Sequence, residues 1–323
     1  MPQAATIAIT HALKPEALEK IRGALPPAVS LTDYSHERRE HLQDEADRIQ
    51  VVYGPLNPDE FAALKALRWL HIPWSGIDGI AFDELFTSDV LITHYHGISA
   101  VAISEHTIGA LLYLSRDFPA WQSLNRRHIW RERVNTALIN GSVVLIVGMG
   151  EIGRVVARKL AGLGARVWGV NSDGRLTEPC ERCFTLETVR PLLGEVDFLA
   201  SLLPSTPRTH KALDRSFLAA LKPGAGVVNI SRGAVLDQDA LQDLVQRGRL
   251  RGAVLDVTDP EPPPEDCRLF DDDRILLTGH RVFLPGDGDA TPAPEDIFIQ
   301  NLGAWSAGRP EEMRFKVNKE LRY

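Results

Sequence analysis

The sequence predicts an α/β protein made of two doubly wound parallel-sheet domains, and three observations carry that prediction. Short apolar runs alternate with longer helical patterns along the chain, the rhythm of β-α-β units. In the second half the short runs are almost continuously apolar, as strands covered on both faces must be. The length, 323 residues, corresponds at roughly 100 to 200 residues per domain to about two domains, each able to bury its own core.

The elements follow in order. TIAIT at 6–10 reads as a strand, the segment with Leu18, Ile21 and Leu25 as a helix, and IQVVYG at 49–54 as a second strand. PDEFAALKAL at 58–67 predicts a helix with Asn57 as its N-cap; WLHIPW at 69–74 and VLITHY at 90–95 predict strands on either side of an SGID turn. A long helix is expected over 100–116, followed by a polar stretch rich in Trp and Arg. Strands are then expected at 143–147, 167–170, 198–202, 227–230, 253–257 and 275–278, separated by helical patterns. LPGDGDATPAP at 284–294 reads as an irregular connection, and DIFIQNLGAWSAG after it as an amphipathic helix that returns the chain to the first domain. The expected division is therefore 1–97 with 288–323 against 98–287.

Composition excludes several classes. Hydrophobic residues at 44% and charged residues at 24% are ordinary for a globular protein and too apolar for a disordered chain. A net charge of −7 with no basic block argues against nucleic acid as a partner. No apolar run approaches the ~18 to 20 residues of a spanning helix, and the N-terminus lacks a signal peptide's charged start and apolar centre, so no membrane is expected. Three cysteines, Cys180, Cys183 and Cys267, make a disulfide framework improbable in a chain this long and suggest the reducing cytoplasm. The CERC pair has no second pair and no histidine at ligand spacing, so a metal site is not expected and a structural pair is. The His94–Tyr95–His96 cluster reads as packed or surface residues.

Gly148, Gly150 and Gly153 form GMGEIG directly between the strand SVVLIV and the helix RVVARKLAGLG. In that context the motif is specific for a dinucleotide pyrophosphate. The first glycine permits the turn, the second lets the backbone approach the anion, and the third lets helix and strand pack closely. Free N–H groups at the helix start, at Glu151 and Ile152, face the phosphates. The second domain is thus a Rossmann cofactor domain, and the first reads as a separate α/β unit. Eighteen residues after Gly153, where a free ribose 2′-hydroxyl would meet Asp or Glu, stands Asn171. A neutral side chain does not repel a 2′-phosphate, and Ser172 and Arg175 offer a hydroxyl and a cation. NADP is therefore preferred to NAD, with Asp173 in the same loop counting the other way.

Over nearly its whole length the chain resembles the D-isomer-specific 2-hydroxyacid dehydrogenases, most closely those of the glyoxylate/hydroxypyruvate reductase type. The matching stretches are WSGID, ISEHTIGALLYLSR, GMGEIGRVVARKL, LPSTPRTH, LKPGAGVVNISRGAVLDQDAL, GAVLDVTDPEPPP and LLTGH. The resemblance implies a catalytic Arg, Glu and His, falling on Arg232, Glu261 and His280. It also implies cofactor contacts from Leu203, Pro204 and Thr209 of LPSTPRTH, and places Asp256 near the nicotinamide carboxamide. In the first domain, a flavodoxin-like substrate domain on this resemblance, it implies that the backbone N–H groups of Ser75, Gly76 and Ile77 receive a substrate carboxylate; Trp74 and Tyr53 are candidates to close the pocket, although an aromatic at a strand end is more often ordinary core. A homodimer paired through the helix at 100–116 and the segment after it is expected on the same ground.

The chemistry accounts for these residue types. Reducing a 2-keto acid needs an anchor for a carboxylate, a hydride donor, and a proton for the oxygen that becomes an alkoxide. Arg232 has a planar fork that matches a carboxylate, His280 an imidazole that carries a proton near neutrality, and Glu261 a charge that orients that ring. The expected activity is reduction of small 2-keto acids such as glyoxylate or hydroxypyruvate by NAD(P)H. Two departures bear on it. The residue before the catalytic histidine is usually proline and here is Gly279, which would loosen the backbone. The small residues that usually follow are replaced by Arg281, Val282 and Phe283, and Arg281 would oppose a charged imidazole unless it faces solvent or binds the substrate. They leave open an alternative, a nucleotide-binding regulatory or interaction protein that keeps the fold and catalyses weakly.

Overall fold

Strands that are apolar on both faces fold into a sheet buried on both faces, and the chain does this twice. The computed structural model describes residues 5–35, 38–74, 76–77, 82–95, 100–130, 132–282 and 292–320. It forms two compact units, Met1–Ile98 with Pro285–Tyr323, and Ser99–Leu284.

The first unit contains β1 (Ala5–Ile9), α1 (Pro15–Gly23), β2 (Val29–Asp33), β3 (Ile49–Tyr53), α2 (Pro58–Ala63), β4 (Trp69–Ile72), α3 (Asp83–Thr87) and β5 (Leu91–His94). Its five strands are all parallel, in the order β2-β1-β3-β4-β5, the flavodoxin-like arrangement. Alternate residues of β1 and β3 supply opposite faces: Ala8 and Val52 pack with Leu64, Leu70 and Phe86, while Ile7, Ile9 and Val51 pack with Trp69. The C-terminal helix, Pro294–Ser306, lays Phe298 and Leu302 on that second face. The helix expected over 58–67 has the predicted cap, Asn57 and Glu60 each bonding the other's backbone at 2.9 Å, but it stops at Ala63 because Leu64 leaves helical geometry (ψ 70°). The strands expected at 69–74 and 90–95 likewise shorten to β4 and β5.

The second unit contains α4 (Ala100–Ser115), α5 (Phe118–Arg126), β6 (Val143–Val147), α6 (Glu151–Gly162), β7 (Arg166–Val170), β8 (Arg182–Phe184), α7 (Leu186–Val189), β9 (Phe198–Ser201), α8 (Arg215–Ala220), β10 (Ala225–Asn229), α9 (Gln238–Gln246), β11 (Leu250–Leu255) and β12 (Ile275–Leu277). All seven strands are parallel, in the order β12-β11-β10-β9-β6-β7-β8, a Rossmann sheet. Val143, Leu145 and Val147 face one core with Leu199 and Phe217; Val144 and Ile146 face the other with Leu111, Val156 and Leu160. Among the described residues no helix is long and apolar enough to cross a membrane.

Candidate active site

The sheet order of the second unit fixes where chemistry can collect. From β6 the chain moves to β7 on one side and returns to β9 on the other, so the loops after β6 and β9 part at the carboxyl edge and leave a crevice. Every residue nominated in this unit lies on that edge: Gly148 to Gly153 after β6, Asn171 to Arg175 after β7, Leu203 to Thr209 after β9, Arg232 after β10, Asp256 and Glu261 after β11, and His280 after β12.

The three glycines of the turn have three different surroundings. A Cβ on Gly148, whose φ is +111°, would lie 2.7 Å from the Leu202 carbonyl group, and one on Gly153 would lie 2.1 Å from the Gly148 oxygen. Both are packed against backbone. Gly150, at the start of α6, has nothing within 4 Å of its missing Cβ. The turn is therefore tight where it packs and open where an anion would approach the first N–H groups of α6, which have no intrahelical acceptor. These residues fit a dinucleotide. Thr209 closes the β9 loop, its hydroxyl donating to the Pro204 carbonyl at 2.6 Å and accepting from Thr206 N–H at 2.8 Å; Leu203 is half-buried beside the turn.

The loop after β7 holds itself. Asn171 accepts from Gly174 N–H at 2.6 Å and donates to the Arg175 carbonyl at 2.8 Å, so its amide organises the loop. Arg175 is exposed and pairs with Asp173 at 2.6 Å; its backbone N–H, then its guanidinium, hold the Asp173 carboxyl below its ordinary range, and Ser172 is exposed. The cation that would meet a 2′-phosphate already has an anionic partner.

Glu261 and His280 are brought together: His280 Nδ1 lies 2.5 Å from Glu261 Oε1, with both side chains partly exposed. The backbone that carries the imidazole is fixed by Asp256, which is buried. Its carbonyl accepts from His280 N–H at 2.6 Å, and its Oδ1 accepts from Thr278 Oγ1 at 2.6 Å and Arg281 N–H at 3.2 Å. Gly279 gives this turn a conformation that favours glycine. It adopts φ +66°, and His280 follows at φ +54°, so two successive left-handed residues aim the ring. Arg281 is exposed to solvent. Arg232 is half-buried, with Nη1 donating to the Ser231 carbonyl at 2.8 Å; Asn229 and Ser231 brace the loop beneath it.

Sequence reasoning passed over Thr278 and His106. The Thr278 hydroxyl lies 3.4 Å from His106 Nε2, so Asp256, Thr278 and His106 form one chain; burial lowers the His106 pKa and Asp256 acts against that. The signal was available in LTGH and ISEHTIG, but nothing in either string indicates that they meet.

In the first unit the outcome is mixed. Ser75 lies outside the described residues, Gly76 is half-buried, and Ile77 is buried. Trp74 is half-buried, edge-on to His11 at a centroid distance of 5.3 Å. Tyr53 is entirely buried, edge-on to Phe298 and stacked on His71, so its ring belongs to the core and presents no surface for a substrate. Burial also pushes its hydroxyl far up from the ordinary phenol range. His94 is buried too, and Tyr95 donates to the Pro292 carbonyl at 2.6 Å; His96 lies outside the described residues.

Sheet order and glycine turn together define a dinucleotide-binding α/β protein. Residues 108–281 match the family model of the D-isomer specific 2-hydroxyacid dehydrogenase, NAD binding domain, and the chain belongs to that family. It is 33% identical over 238 residues to D-3-phosphoglycerate dehydrogenase of Mycobacterium tuberculosis, covering 73% of this chain and 45% of that one. It is 29% identical over 290 residues to glyoxylate reductase of Korarchaeum cryptofilum, covering 87% and 85%. The chain spans about half the length of the phosphoglycerate dehydrogenases it matches. The solved NADPH-dependent glyoxylate/hydroxypyruvate reductase of Sinorhizobium meliloti, in complex with NADP and sulfate, superposes with a TM-score of 0.81 over 99% of this chain and all of that one. At 22% identity it establishes the fold.

Proposed function

We propose that this protein reduces small 2-keto acids, glyoxylate or hydroxypyruvate first, to 2-hydroxy acids, using NADPH, with NADH as the alternative. The observation that carries this reading is the Glu261–His280 pair standing on the same sheet edge as the glycine turn. The dinucleotide supplies a hydride. With Nδ1 committed to Glu261, Nε2 is the atom of His280 that holds the proton for the carbonyl oxygen. Arg232 binds the carboxylate through its fork. Asp256 holds the His280 turn in place and sets the nicotinamide end of the site. Preference for NADPH rests on Asn171, Ser172 and Arg175, and is weakened by the Arg175–Asp173 pair.

The proposed assembly is a homodimer formed through α4, α5 and the segment after them, where Val101, Phe118, Trp121, Trp130 and Leu138 are exposed. Three free cysteines support a cytoplasmic setting. Similarity to D-3-phosphoglycerate dehydrogenase adds the 2-keto acid that corresponds to D-3-phosphoglycerate to the substrates worth offering.

The test is turnover of purified protein with NADPH and NADH against glyoxylate, hydroxypyruvate, 3-phosphohydroxypyruvate and a bulky aromatic 2-keto acid. Saturable oxidation lost in His280→Ala, with dinucleotide binding retained, supports the enzyme. Dinucleotide binding without turnover on any acid favours the regulatory alternative, for which the unusual Gly279–His280 backbone is the specific observation.

A further inference from the structure

Three sulphur-bearing side chains of the second unit converge on one glycine. A Cβ on Gly169, in β7, would lie 2.7 Å from Met149 Cγ, 3.0 Å from Cys183 Sγ and 3.1 Å from Cys180 Sγ. The missing side chain is what leaves room for all three. Cys180 Sγ stands 3.8 Å from Met149 Sδ, and Cys183 Sγ accepts from Thr177 N–H at 3.3 Å. Met149 and Cys180 are buried, and Cys183, in β8, is half-buried. Met149 is the residue between the first two glycines of the turn, so the sequence gives no hint that it joins the CERC pair.

The donor set decides the ligand. Among the described residues no three His, Cys, Asp or Glu side chains gather in a way that could hold a metal, so a hard or borderline cation finds no site. Two thiols and a thioether are soft donors, which select Cu(I). Zinc would require a fourth ligand in a closed site. In a trigonal site with metal–sulphur bonds of about 2.3 Å, neighbouring sulphurs stand about 4.0 Å apart, and the observed Cys180–Met149 separation of 3.8 Å is close to that. Packing alone would be served by any side chains of the right volume and does not call for sulphur three times around one bare Cα.

We propose that Met149, Cys180 and Cys183 form a three-coordinate binding site for a soft monovalent cation, Cu(I). Each thiol gives up its proton to solvent, two thiolates and the Met149 thioether bond the ion, and no electron is transferred. Binding ties the turn after β6 to the loop and strand that follow β7, so the loaded protein melts at a higher temperature. This does not depend on the proposed reduction of 2-keto acids.

The experiment is an anaerobic titration of the reduced full-length chain with Cu(I) delivered as its bicinchoninate complex, followed by X-ray absorption at the copper edge. The expected result is withdrawal of one equivalent, a shell of three sulphurs, and a raised Tm. Cys180→Ser/Cys183→Ser abolishes that equivalent, Cys267→Ser leaves it in place, and Met149→Leu leaves a shell of two sulphurs. If the double serine variant fails to fold, the loss of one sulphur in Met149→Leu carries the test. Equal uptake in the folded double variant, no uptake by the wild type, or a shell that Met149→Leu does not change would overturn the proposal. Recovery of a Cys180–Cys183 disulfide from reduced protein in place of copper uptake would overturn it as well.

Discussion

His280 Nδ1 and Glu261 Oε1 stand 2.5 Å apart across 19 positions of sequence, on loops that leave adjacent strands β12 and β11. One ring nitrogen is thereby occupied, and the proposed reduction uses the other. His280→Ala is expected to lower kcat by roughly 10²- to 10⁴-fold while the dinucleotide Kd stays unchanged. Glu261 works through the ring, so Glu261→Ala combined with His280→Ala should be no slower than His280→Ala alone. Steady-state kinetics of the four proteins decides it, and additive losses would give Glu261 an independent role.

β6, whose residues are all apolar, was legible because burial on both faces leaves no polar position in the string. β2 was not read: its alternation of Val, Ser, Leu, Thr and Asp marks a half-buried strand at the sheet's edge. The three-residue β8 and the helix α5, whose sequence FPAWQSLNR looks like a polar connection, were missed for want of length or periodicity. The site was legible where one short motif carries it, as in GMGEIG and LTGH. It was illegible where distant strings meet, as Met149 meets Cys180 and Thr278 meets His106. Tyr53 shows the same ambiguity: an aromatic at a strand end reads alike whether its ring turns to the core or to the edge, and here the ring is buried.

Gly150 and Gly153 separate binding from folding. Gly153→Ala puts a Cβ against the Gly148 carbonyl oxygen and should cost about 1–3 kcal/mol of stability. Gly150→Ala meets nothing in the protein and should cost under about 1 kcal/mol, mostly as a poorer N-cap. Its dinucleotide Kd should nevertheless rise sharply. Thermal melts and a fluorescence titration of each variant check the pair.

His71 makes the first unit sensitive to acid. Burial in the core pushes its imidazole down to about 3, with His94 acting the same way, and Nε2 is buried with no hydrogen-bond partner among the described residues. Below the unfolded value of about 6.5, the unfolded chain takes up a proton that the folded core refuses. Stability from this group is therefore complete above that value and falls steadily as the pH drops toward 3. Between pH 7 and pH 5 it should lose about 2 kcal/mol. Urea unfolding of wild type and His71→Asn at both pH values isolates the contribution, since only the wild type should carry it.

Arg175 tests the choice of dinucleotide. If it recognises a 2′-phosphate, Arg175→Ala weakens NADPH by roughly tenfold or more and leaves NADH nearly unchanged. Asp173→Ala releases Arg175 from its 2.6 Å partner and should strengthen NADPH. Equal effects of Arg175→Ala on the two dinucleotides would make the pair a feature of the loop alone.

Gly279 stands where the family usually has proline, and the obvious expectation is that restoring proline would restore an ordinary active centre. The backbone says otherwise. Gly279 has φ +66°, and the pyrrolidine ring locks φ near −65°, so proline cannot enter this turn without turning the following residue. That residue is His280, whose N–H is tied to the Asp256 carbonyl and whose ring is tied to Glu261. Gly279→Pro should therefore cost about 1–3 kcal/mol in stability and lower kcat/KM as the imidazole is re-aimed. Gly279→Ala meets no atom within 4 Å and should cost only the left-handed penalty, about 1–2 kcal/mol, with the ring still aimed. Melting temperature and kcat/KM measured on both variants check this. A proline variant that is both more stable and more active would mean that the working enzyme leaves the left-handed turn.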